Sequence, residues 1–365
     1  MFFDVMPKER VEDLYDMEDE LRLLVKFLRD PYVRMIVIHG PRRTGKTSLL
    51  KVALNLVEYP YLYMDARKIF GSMDYFGREL EKGFEKLFLS KKYRRLLSML
   101  SRRVKGISIA GVRMEFRVSD IKMTLTDILE CINDELREDF FILALDEAQE
   151  LSSLRWLPKM LAYCYDNLRR IKVVVTGSEV RVLEDFIGEG NPKSPLYGRP
   201  YTMIRTKRLS KGRSLDFLRK GFQQIRLNIG EDILMEAVEN LDGVIGWLTY
   251  FGWHAWKHGD PKRGLEEAVL KGSIVLKSEL DRFLIKREEA RARYIAILKA
   301  TSIKPLSWSQ INRYLMAELG RKIAPNQLTK YLNNLIRYGF LEKIDNKYYV
   351  SDPLLKNMLE TQKFY

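Results

Sequence analysis

One segment near the start of the chain constrains the fold more than any other. Residues Gly40–Thr47, Gly-Pro-Arg-Arg-Thr-Gly-Lys-Thr, match G-x-x-x-x-G-K-[ST], the spacing of a phosphate-binding loop. The β-branched run 33–39 precedes the loop and a helical pattern begins at Ser48, which is the strand–loop–helix setting that such a loop requires. Glycines let the backbone curl so that N–H groups meet a phosphate at the helix N-terminus. The sequence therefore predicts an α/β fold that binds a nucleotide.

The residue types in this loop assign roles to its positions. Lys46 is expected to reach the β- and γ-phosphates, and the Thr47 hydroxyl is expected to bind Mg²⁺. Arg42 and Arg43 have a less defined role, because their side chains either contact the nucleotide or face solvent. The residues predicted to bind nucleotide are Gly40, Pro41, Arg42, Arg43, Thr44, Gly45, Lys46, Thr47 and Ser48.

Hydrolysis also needs a carboxylate at the end of a neighbouring apolar strand. The apolar run 140–145 is followed by Asp146 and Glu147, which supply two carboxylates. Asp146 is predicted to bind Mg²⁺ through water, and Glu147 to orient and deprotonate the attacking water. Acidic pairs also occur at helix N-termini without any catalytic role. The position of this pair after a buried-type strand, downstream of the loop, favours the catalytic interpretation.

Hydroxyl and guanidinium groups further along complete the candidate catalytic set. The strand predicted over 171–176 ends near Thr176 and Ser178, either of which would sense the γ-phosphate and help to place the water. Ordinary turn chemistry would also explain both residues. Arg199, in a turn after this strand, is the candidate for stabilising charge on the γ-phosphate, within the chain or in a neighbouring subunit. A structural salt bridge is the other interpretation of Arg199.

Together with the Pro-Leu-Tyr-Gly-Arg turn at 195–199 and the C-terminal pattern described below, these motifs resemble the archaeal ATPase family, P-loop proteins of the AAA/STAND type. The resemblance covers essentially the whole chain. It implies an αβα ATPase core, a helical lid, ATP or ADP as the nucleotide and a nucleotide-driven switch. Independently, the sequence lacks the [NT]-K-x-D motif that reads guanine. Two positions differ from the family pattern, because Met17 replaces an expected Arg and Ile245 replaces an expected lid Pro; both concern nucleotide–lid coupling.

The predicted fold class is α/β: a P-loop αβα sandwich with a parallel sheet, followed by a helical lid and a winged helix-turn-helix domain. The predicted strands are 33–39, 61–65, 140–145 and 171–176. The predicted domains are an ATPase core over 1–205, a lid over 206–285 and a winged helix over 286–365. An insert over 66–130 is expected to hold a basic helix at 91–103 and a small hairpin at 107–118.

The last 80 residues predict a basic winged helix. Helical patterns over 288–300, 308–319 and 324–338 precede two short β-rich runs that turn at Asp345-Asn346. Residues 286–365 hold 15 Lys/Arg and 7 Asp/Glu, a net charge of +8 out of the chain's +14. Amides and cations suited to base edges and phosphates lie on the polar face of the third helix: Asn326, Gln327, Thr329, Lys330, Asn333 and Arg337. Double-stranded DNA is one expected partner, and docking to a protein is the alternative.

Composition and spacing exclude several other classes of protein. No run of 18 apolar residues occurs, and the N-terminus is acidic where a signal peptide is basic, so a cytoplasmic protein without a membrane span is expected. Two distant cysteines and three scattered histidines predict neither a disulfide framework nor a zinc site. The favoured hypothesis is a Mg²⁺-dependent ATPase that switches a DNA-associated module. The second hypothesis is a non-catalytic, nucleotide-loaded scaffold that binds a protein, and the sequence leaves the oligomeric state open.

Overall fold

The structure of the protein is a computed structural model. It describes the whole chain except residues 70–71, 90–97, 101–106, 111–112, 117–120, 152, 179–185, 189–190, 286, 321 and 362–365. Only the secondary structure is described for residues 88–89, 107–110, 113–116 and 122–123. The basic helix predicted over 91–103 lies outside the described residues, apart from a helical piece at 98–100.

Helices and strands alternate through the first half of the chain, and helices dominate the second half. The described strands are β1 (Met35–His39), β2 (Tyr61–Asp65), β3 (Ile107–Ala110), β4 (Arg113–Phe116), β5 (Phe141–Asp146), β6 (Ile171–Gly177), β7 (Thr202–Arg205), β8 (Leu306–Ser307), β9 (Leu341–Ile344) and β10 (Lys347–Val350). The longer described α-helices are α1 (Glu18–Arg29), α2 (Lys46–Val57), α3 (Met73–Leu89), α4 (Ile121–Glu135), α5 (Leu157–Asn167), α6 (Lys211–Gln224), α7 (Glu231–Leu241), α8 (Ile245–His258), α9 (Pro261–Ile285), α10 (Arg291–Ile303), α11 (Trp308–Leu319), α12 (Pro325–Arg337) and α13 (Pro353–Glu360).

Five parallel strands in the order β2-β5-β6-β1-β7 form the central sheet. The four strands that the sequence predicts are all present. The fifth, β7, falls at the end of a turn-rich stretch, and it pairs with β1 so that Thr202 lies opposite Ile36. Two of its four residues are exposed, as on an edge strand. The sequence of β7 therefore shows only a weak strand pattern.

Helices cover both faces of this sheet, because its strands contribute alternate residues to two apolar layers. Ile36 and Ile38 pack with α1 and α2 on one face, whereas Val37 packs with α3, α4 and α5 on the other. All residues of β5 are buried, as expected for a parallel strand that has no solvent-facing side. The predicted P-loop αβα sandwich is therefore confirmed.

The lid consists of α6–α9, and the N-terminal residues pack into it. Phe3 is fully buried, and a Cβ at Gly221 or at Gly252 would lie 2.2 Å from its ring. Glycine at these two positions therefore allows the close approach of Phe3 to both helices. Phe2, Phe3 and Tyr15 share one hydrophobic core with the lid and the C-terminal helices. The first residues of the chain therefore pack against the lid helices.

The C-terminal part is a winged helix, as the sequence predicts. The helices α10, α11 and α12 precede the antiparallel pair β9–β10, which turns through Asp345 and Asn346. These two residues have φ values of +47° and +61°, which a two-residue hairpin turn requires. The sequence did not predict β8, which pairs with β10, or α13, which follows the wing.

The strands β3 and β4 pair in antiparallel fashion, which agrees with the hairpin predicted in the insert. In the described parts of the chain, no helix has the length and hydropathy needed to cross a bilayer.

Candidate functional site

The loop at residues 40–47 depends on glycines at two positions. Gly45 has a φ of +87° at the start of α2, and a Cβ there would lie 2.7 Å from the Cε atom of Met17. Gly40 has a φ of +152°, and a Cβ there would lie 2.3 Å from the Oγ1 atom of Thr206. A side chain at either position would strain the backbone and displace its neighbour. The loop is therefore held in one shape by both its backbone and its packing.

Lys46 points into the mouth of this loop. Its side chain is buried, and its Nζ atom donates hydrogen bonds to the carbonyl oxygens of Gly40 (2.9 Å) and Pro41 (2.7 Å). Burial lowers the pKa of Lys46 to about 8, although the carboxylates of Glu147 and Asp146 act in the opposite direction. An ammonium group that has only neutral carbonyls as hydrogen-bond acceptors is well placed to bind an anion such as a phosphate.

Asp146 lies at the end of β5 and is fully buried among hydroxyl groups. Its Oδ2 atom accepts hydrogen bonds from Thr47 (2.8 Å) and from the phenol of Tyr63 (2.8 Å), and its Oδ1 atom accepts one from Thr176. Burial, the largest cause, and the neighbouring Asp146 raise the pKa of Tyr63, which keeps the phenol a donor. Thr47 and Asp146 thus present adjacent oxygen ligands, which fit the Mg²⁺ that the loop motif implies.

Glu147 follows directly and is held in a fixed orientation. Its backbone has a φ of +54°, and its N–H donates to the Oγ1 atom of Thr176 (3.0 Å). Its Oε2 atom accepts hydrogen bonds from Ser178 (2.9 Å) and from Gln149. Burial by itself would raise the pKa of Glu147, but the charge of Lys46 and the two hydrogen bonds outweigh it, so the pKa is lowered. The carboxylate is therefore ionised at neutral pH.

Most of the predicted catalytic residues come together in this region, and one does not. Thr176 and Ser178 contact the two carboxylates, so in this structure they position Asp146 and Glu147. Arg199 instead forms an ion pair with Asp166 on α5, with Nε 2.9 Å from Oδ1. It is not among the described residues that line the cleft beside the loop.

Arg42 and Arg43, whose role the sequence leaves less defined, contact the lid in this structure. Their guanidinium groups donate to the two carboxylate oxygens of Glu279 on α9, at 2.9 Å and 2.8 Å. The Arg43 guanidinium also lies over the ring of Trp247, 4.2 Å from its centroid, and the Arg43 carbonyl accepts from the N–H of Gly246. Both residues thereby join the loop to the lid, although Arg43 also lines the cleft.

A cleft of about 360 Å³, which we call the loop cleft, opens beside Lys46 and Thr47. One wall is the N-terminal segment, and the opposite wall is the first turn of α8. Met17 and Ile245, the two positions that differ from the family pattern, both line the cleft. The N–H of Lys8 donates to the Oγ atom of Ser48 (3.0 Å), which fixes the N-terminal segment against the loop.

The sequence reasoning missed several residues of the site. Tyr63 and Gln149 have no motif; Tyr63 reaches Asp146 because β2 and β5 are neighbours in the sheet. Glu279 lies more than 200 residues from the arginines that it binds. A periodic helix pattern predicts α9 but gives no signal for which of its acids is paired.

A second cavity, of about 450 Å³, lies between the outer face of the loop, Ser178 and the winged helix.

Comparison with known proteins gives two family matches. A family described as an ATPase domain predominantly from Archaea matches residues 14–250. The winged helix-turn-helix domain from the C-terminus of MCM proteins matches residues 288–351.

Individual relatives extend these matches. The Walker-type ATPase PABY2304 of Pyrococcus abyssi has a solved structure that is similar with a TM-score of 0.78 and 31% identity, covering 99% of this chain and 100% of that chain. The Aeropyrum pernix Orc1 protein in complex with DNA is similar with a TM-score of 0.44 and 15% identity, covering 96% of this chain and 94% of that chain. The uncharacterized protein MJECL04 of Methanocaldococcus jannaschii is 25% identical over 330 residues, which are 90% of this chain. The chain spans 62% of the length of that curated relative.

The first family match spans more than half of the chain and includes both the loop at 40–47 and the carboxylates at 146–147. The loop follows β1 and the carboxylates lie at the end of β5, and both strands belong to the same parallel sheet. The protein therefore belongs to the family of ATPase domains found predominantly in Archaea, and it carries a C-terminal winged helix-turn-helix domain.

Proposed function

We propose that the protein is a Mg²⁺-dependent, cytoplasmic ATPase in which ATP binding and slow hydrolysis switch the position of the winged helix, and that the winged helix associates with DNA. One observation supports this proposal above the others. The ionised carboxylate of Glu147 lies between Lys46, which would hold the γ-phosphate, and Ser178, which borders the winged helix. Glu147 thus connects the residues proposed to hydrolyse ATP with the winged helix, which is the part proposed to move.

In this proposal the residues of the loop bind the phosphates of ATP. Lys46 exchanges its carbonyl acceptors for phosphate oxygens, which gives a charge-assisted contact in a buried position. Thr47 and Asp146 would hold Mg²⁺, which, when bound, neutralises charge on the β- and γ-phosphates. The apolar and aromatic walls of the loop cleft, from Met17 to Trp247, suit a base ring.

Hydrolysis then requires a water aligned with the γ-phosphate. Glu147 accepts a hydrogen bond from this water and takes its proton as the water oxygen attacks phosphorus and the bond to ADP breaks. Ser178 and Gln149 keep the carboxylate oriented, and Thr176 fixes its backbone. The lowered pKa of Glu147 keeps the carboxylate ionised, so that it can accept the proton of the water. Arg199 pairs with Asp166, so a role at the γ-phosphate, in its own chain or in a neighbouring subunit, would require this ion pair to open.

Two contacts support coupling to the winged helix. The carbonyl oxygen of Ser178 lies 3.9 Å from the position that a Cβ of Gly339 would occupy, at the end of α12. On the lid side, Trp247 stacks under Arg43 and donates its indole N–H to Asp352 at the start of α13 (3.1 Å). A change of loop position on ATP binding would alter both contacts, which gives the nucleotide a route to the winged helix.

The N-terminal half of α12 and the wing support DNA as the partner. Asn326, Gln327 and Lys330 are exposed on α12, and Lys343 and Lys347 are exposed on the wing. An exposed helix with amides and cations beside a basic wing is the arrangement with which such domains enter the major groove and contact the backbone.

Replacing Glu147 with Gln tests the catalytic proposal. Phosphate release should fall at least a hundredfold, because the amide cannot take a proton, while the affinity for ATP should stay within about threefold. Glu150→Gln, an exposed acid in the next turn, is the matched control and should leave turnover unchanged. Equal phosphate release by wild type and Glu147→Gln would reject catalysis and favour the nucleotide-loaded scaffold.

A salt series tests the DNA proposal. Duplex affinity should fall steeply with salt, and Lys330→Ala or Lys347→Ala should each reduce the slope of log K against log[salt] by about one unit. Lys262→Ala, which removes an exposed lysine of the lid, should leave the slope unchanged. Weak binding with a flat salt dependence would instead favour a protein partner.

A further inference from the structure

A cluster of two histidines and a glutamate lies in the lid, at the end of α8 opposite to the loop cleft. His254 and His258 are four residues apart on α8, so they share one face of the helix. Glu267 reaches them from the neighbouring helix α9. One ligand atom from each of these three side chains lies within 4.8 Å of the others. Two of the chain's three histidines are thus brought together, which the sequence analysis did not expect.

Two distances between the ligand atoms are close to those around a metal ion. The Nδ1 atom of His254 lies 3.0 Å from the Oε2 atom of Glu267, and the Nε2 atom of His258 lies 2.9 Å from the Oε1 atom. Two ligands bound to tetrahedral zinc at 2.0–2.1 Å lie about 3.3 Å apart. Small movements of the side chains would therefore place all three ligands at bonding distance from one ion.

The imidazole ring of His254 is buried and lacks hydrogen bonds to the described part of the chain. The side chain of His254 is 1% exposed; its Nδ1 atom faces Glu267 without the geometry of a hydrogen bond, and its Nε2 atom has no hydrogen-bond partner among the described residues. A buried polar atom without a hydrogen bond is costly, and a metal ion bound to the Nδ1 atom would give this nitrogen a partner. The ring is held at right angles to Tyr250 and Trp253, with centroids 4.6 Å and 4.7 Å away. These rings fix the orientation of the imidazole without forming hydrogen bonds to it.

From this geometry we infer that His254, His258 and Glu267 form a binding site for Zn²⁺ that joins α8 to α9. Two imidazoles and one carboxylate are a common zinc ligand set, and water completes the tetrahedron. The helices are already close at this end, since a Cβ at Gly264 would lie 2.5 Å from the backbone of Ala255. The ion would fasten the helix that lines the loop cleft to the helix that carries Glu279.

Within the described ranges, two cations compete for the same carboxylate, and the more distant of them is Arg263, with its Nε atom 4.0 Å from the Oε1 atom of Glu267. Lys271 lies one turn after Glu267 on α9, and its Nζ atom is 2.7 Å from the Oε2 atom of Glu267. The Lys271 side chain is 41% exposed, so it can turn into solvent when the ion binds. Removing this ammonium group should therefore tighten zinc binding, an effect that a purely structural ion-pair cluster would not produce.

The test is zinc binding by the full chain after chelator treatment, in excess Mg²⁺ and without nucleotide. Equilibrium dialysis with elemental analysis should give one Zn²⁺ per chain, and Co²⁺ in its place should show the visible absorption of a four-coordinate ion. Zinc at a hundred times its dissociation constant should raise the thermal midpoint by about 3 °C. A chain that binds less than a fifth of an equivalent overturns the inference.

Variants assign the ion to these residues. His258→Gln, at the less buried ligand, and Glu267→Gln should each weaken zinc binding at least tenfold, whereas Lys271→Met should strengthen it several-fold. Glu266→Gln, the adjacent exposed acid, is the matched control and should bind zinc as the wild type does. Far-UV circular dichroism of each metal-free variant separates lost binding from lost folding. Equal affinities of His258→Gln and Glu266→Gln chains would place the ion elsewhere and overturn the inference.

Discussion

The two sides of the loop at residues 40–47 are held by different kinds of partner. On the cleft side, Lys46 contacts carbonyl oxygens of the loop itself, five and six residues away. On the outer side, Arg42 and Arg43 share one carboxylate, that of Glu279, more than 200 residues along the chain. The contacts of Lys46 are therefore local, whereas contact with the lid depends on long-range partners. Changes on the two sides should therefore have separable effects.

The largest effect is expected on the cleft side. Lys46→Ala removes the buried ammonium group that would face the phosphates, so the affinity for ATP should fall at least a hundredfold, about 3 kcal/mol or more. Isothermal titration calorimetry with ATP and Mg²⁺ measures the change. Lys26→Ala, on an exposed face of α1, is the control. A loss of less than fivefold would mean that Lys46 does not contact the phosphates.

A change on the outer side should leave nucleotide binding intact. Glu279→Gln leaves both arginines without their carboxylate, which should cost about 1–2 kcal/mol of stability because the groups are partly buried. The affinity for ATP should stay within about threefold, while the effect of ATP on DNA affinity is lost. Fluorescence anisotropy with labelled duplex measures this coupling, and Glu266→Gln should retain it. If ATP still changes DNA affinity in Glu279→Gln, the outer side of the loop does not carry the coupling.

The same comparison explains how much was predictable from the sequence. The loop and the acids at 146–147 form contiguous signatures, and the winged helix follows from periodicity with a two-residue turn. By contrast, the residues that hold Glu147 and the arginines are single side chains without a pattern of their own, such as Gln149 and Glu279. Their roles depend on how distant elements pack. The spacing of His254 and His258 was visible, but their shared glutamate lies on the next helix.

A smaller effect is expected from Tyr63. Tyr63→Phe removes one of three hydroxyl donors to Asp146, while Thr47 and Thr176 each keep one carboxylate oxygen satisfied. The free energy of unfolding should fall by about 1 kcal/mol, as measured by denaturant titration. The control is Tyr59→Phe, which keeps its ring contact and should change stability little. Equal stability of the two variants would indicate that the Tyr63 hydrogen bond contributes nothing.

The smallest effect is expected where the winged helix meets the lid. Burial, only partly offset by Arg43 and Trp247, raises the pKa of Asp352. The contribution of Asp352 to the free energy of unfolding is therefore fully present below the ordinary carboxyl pKa. It is lost as the pH rises through the raised pKa. Asp352→Asn keeps an acceptor for Trp247 and should remove this pH dependence, with a gain below about 1 kcal/mol at neutral pH. Thermal unfolding across the acidic range measures this pH dependence, and exposed Asp345→Asn is the control. An Asp352→Asn chain with the same pH profile as the wild type would contradict this attribution.

The central claim is that ATP on the cleft side moves the winged helix, and a distance measurement tests it most directly. Spin labels at Tyr32→Cys, which is 91% exposed, and at the exposed position Glu318→Cys report the separation of core and winged helix. The native Cys131 and Cys164 are buried, and burial raises the pKa of Cys164 to about 12, so neither competes for the label. In the Glu147→Gln chain, pulsed electron paramagnetic resonance with ATP and Mg²⁺ should show a shift of about 5 Å or more relative to the nucleotide-free chain. Superimposable distance distributions with ATP, with ADP and without nucleotide would contradict the claim.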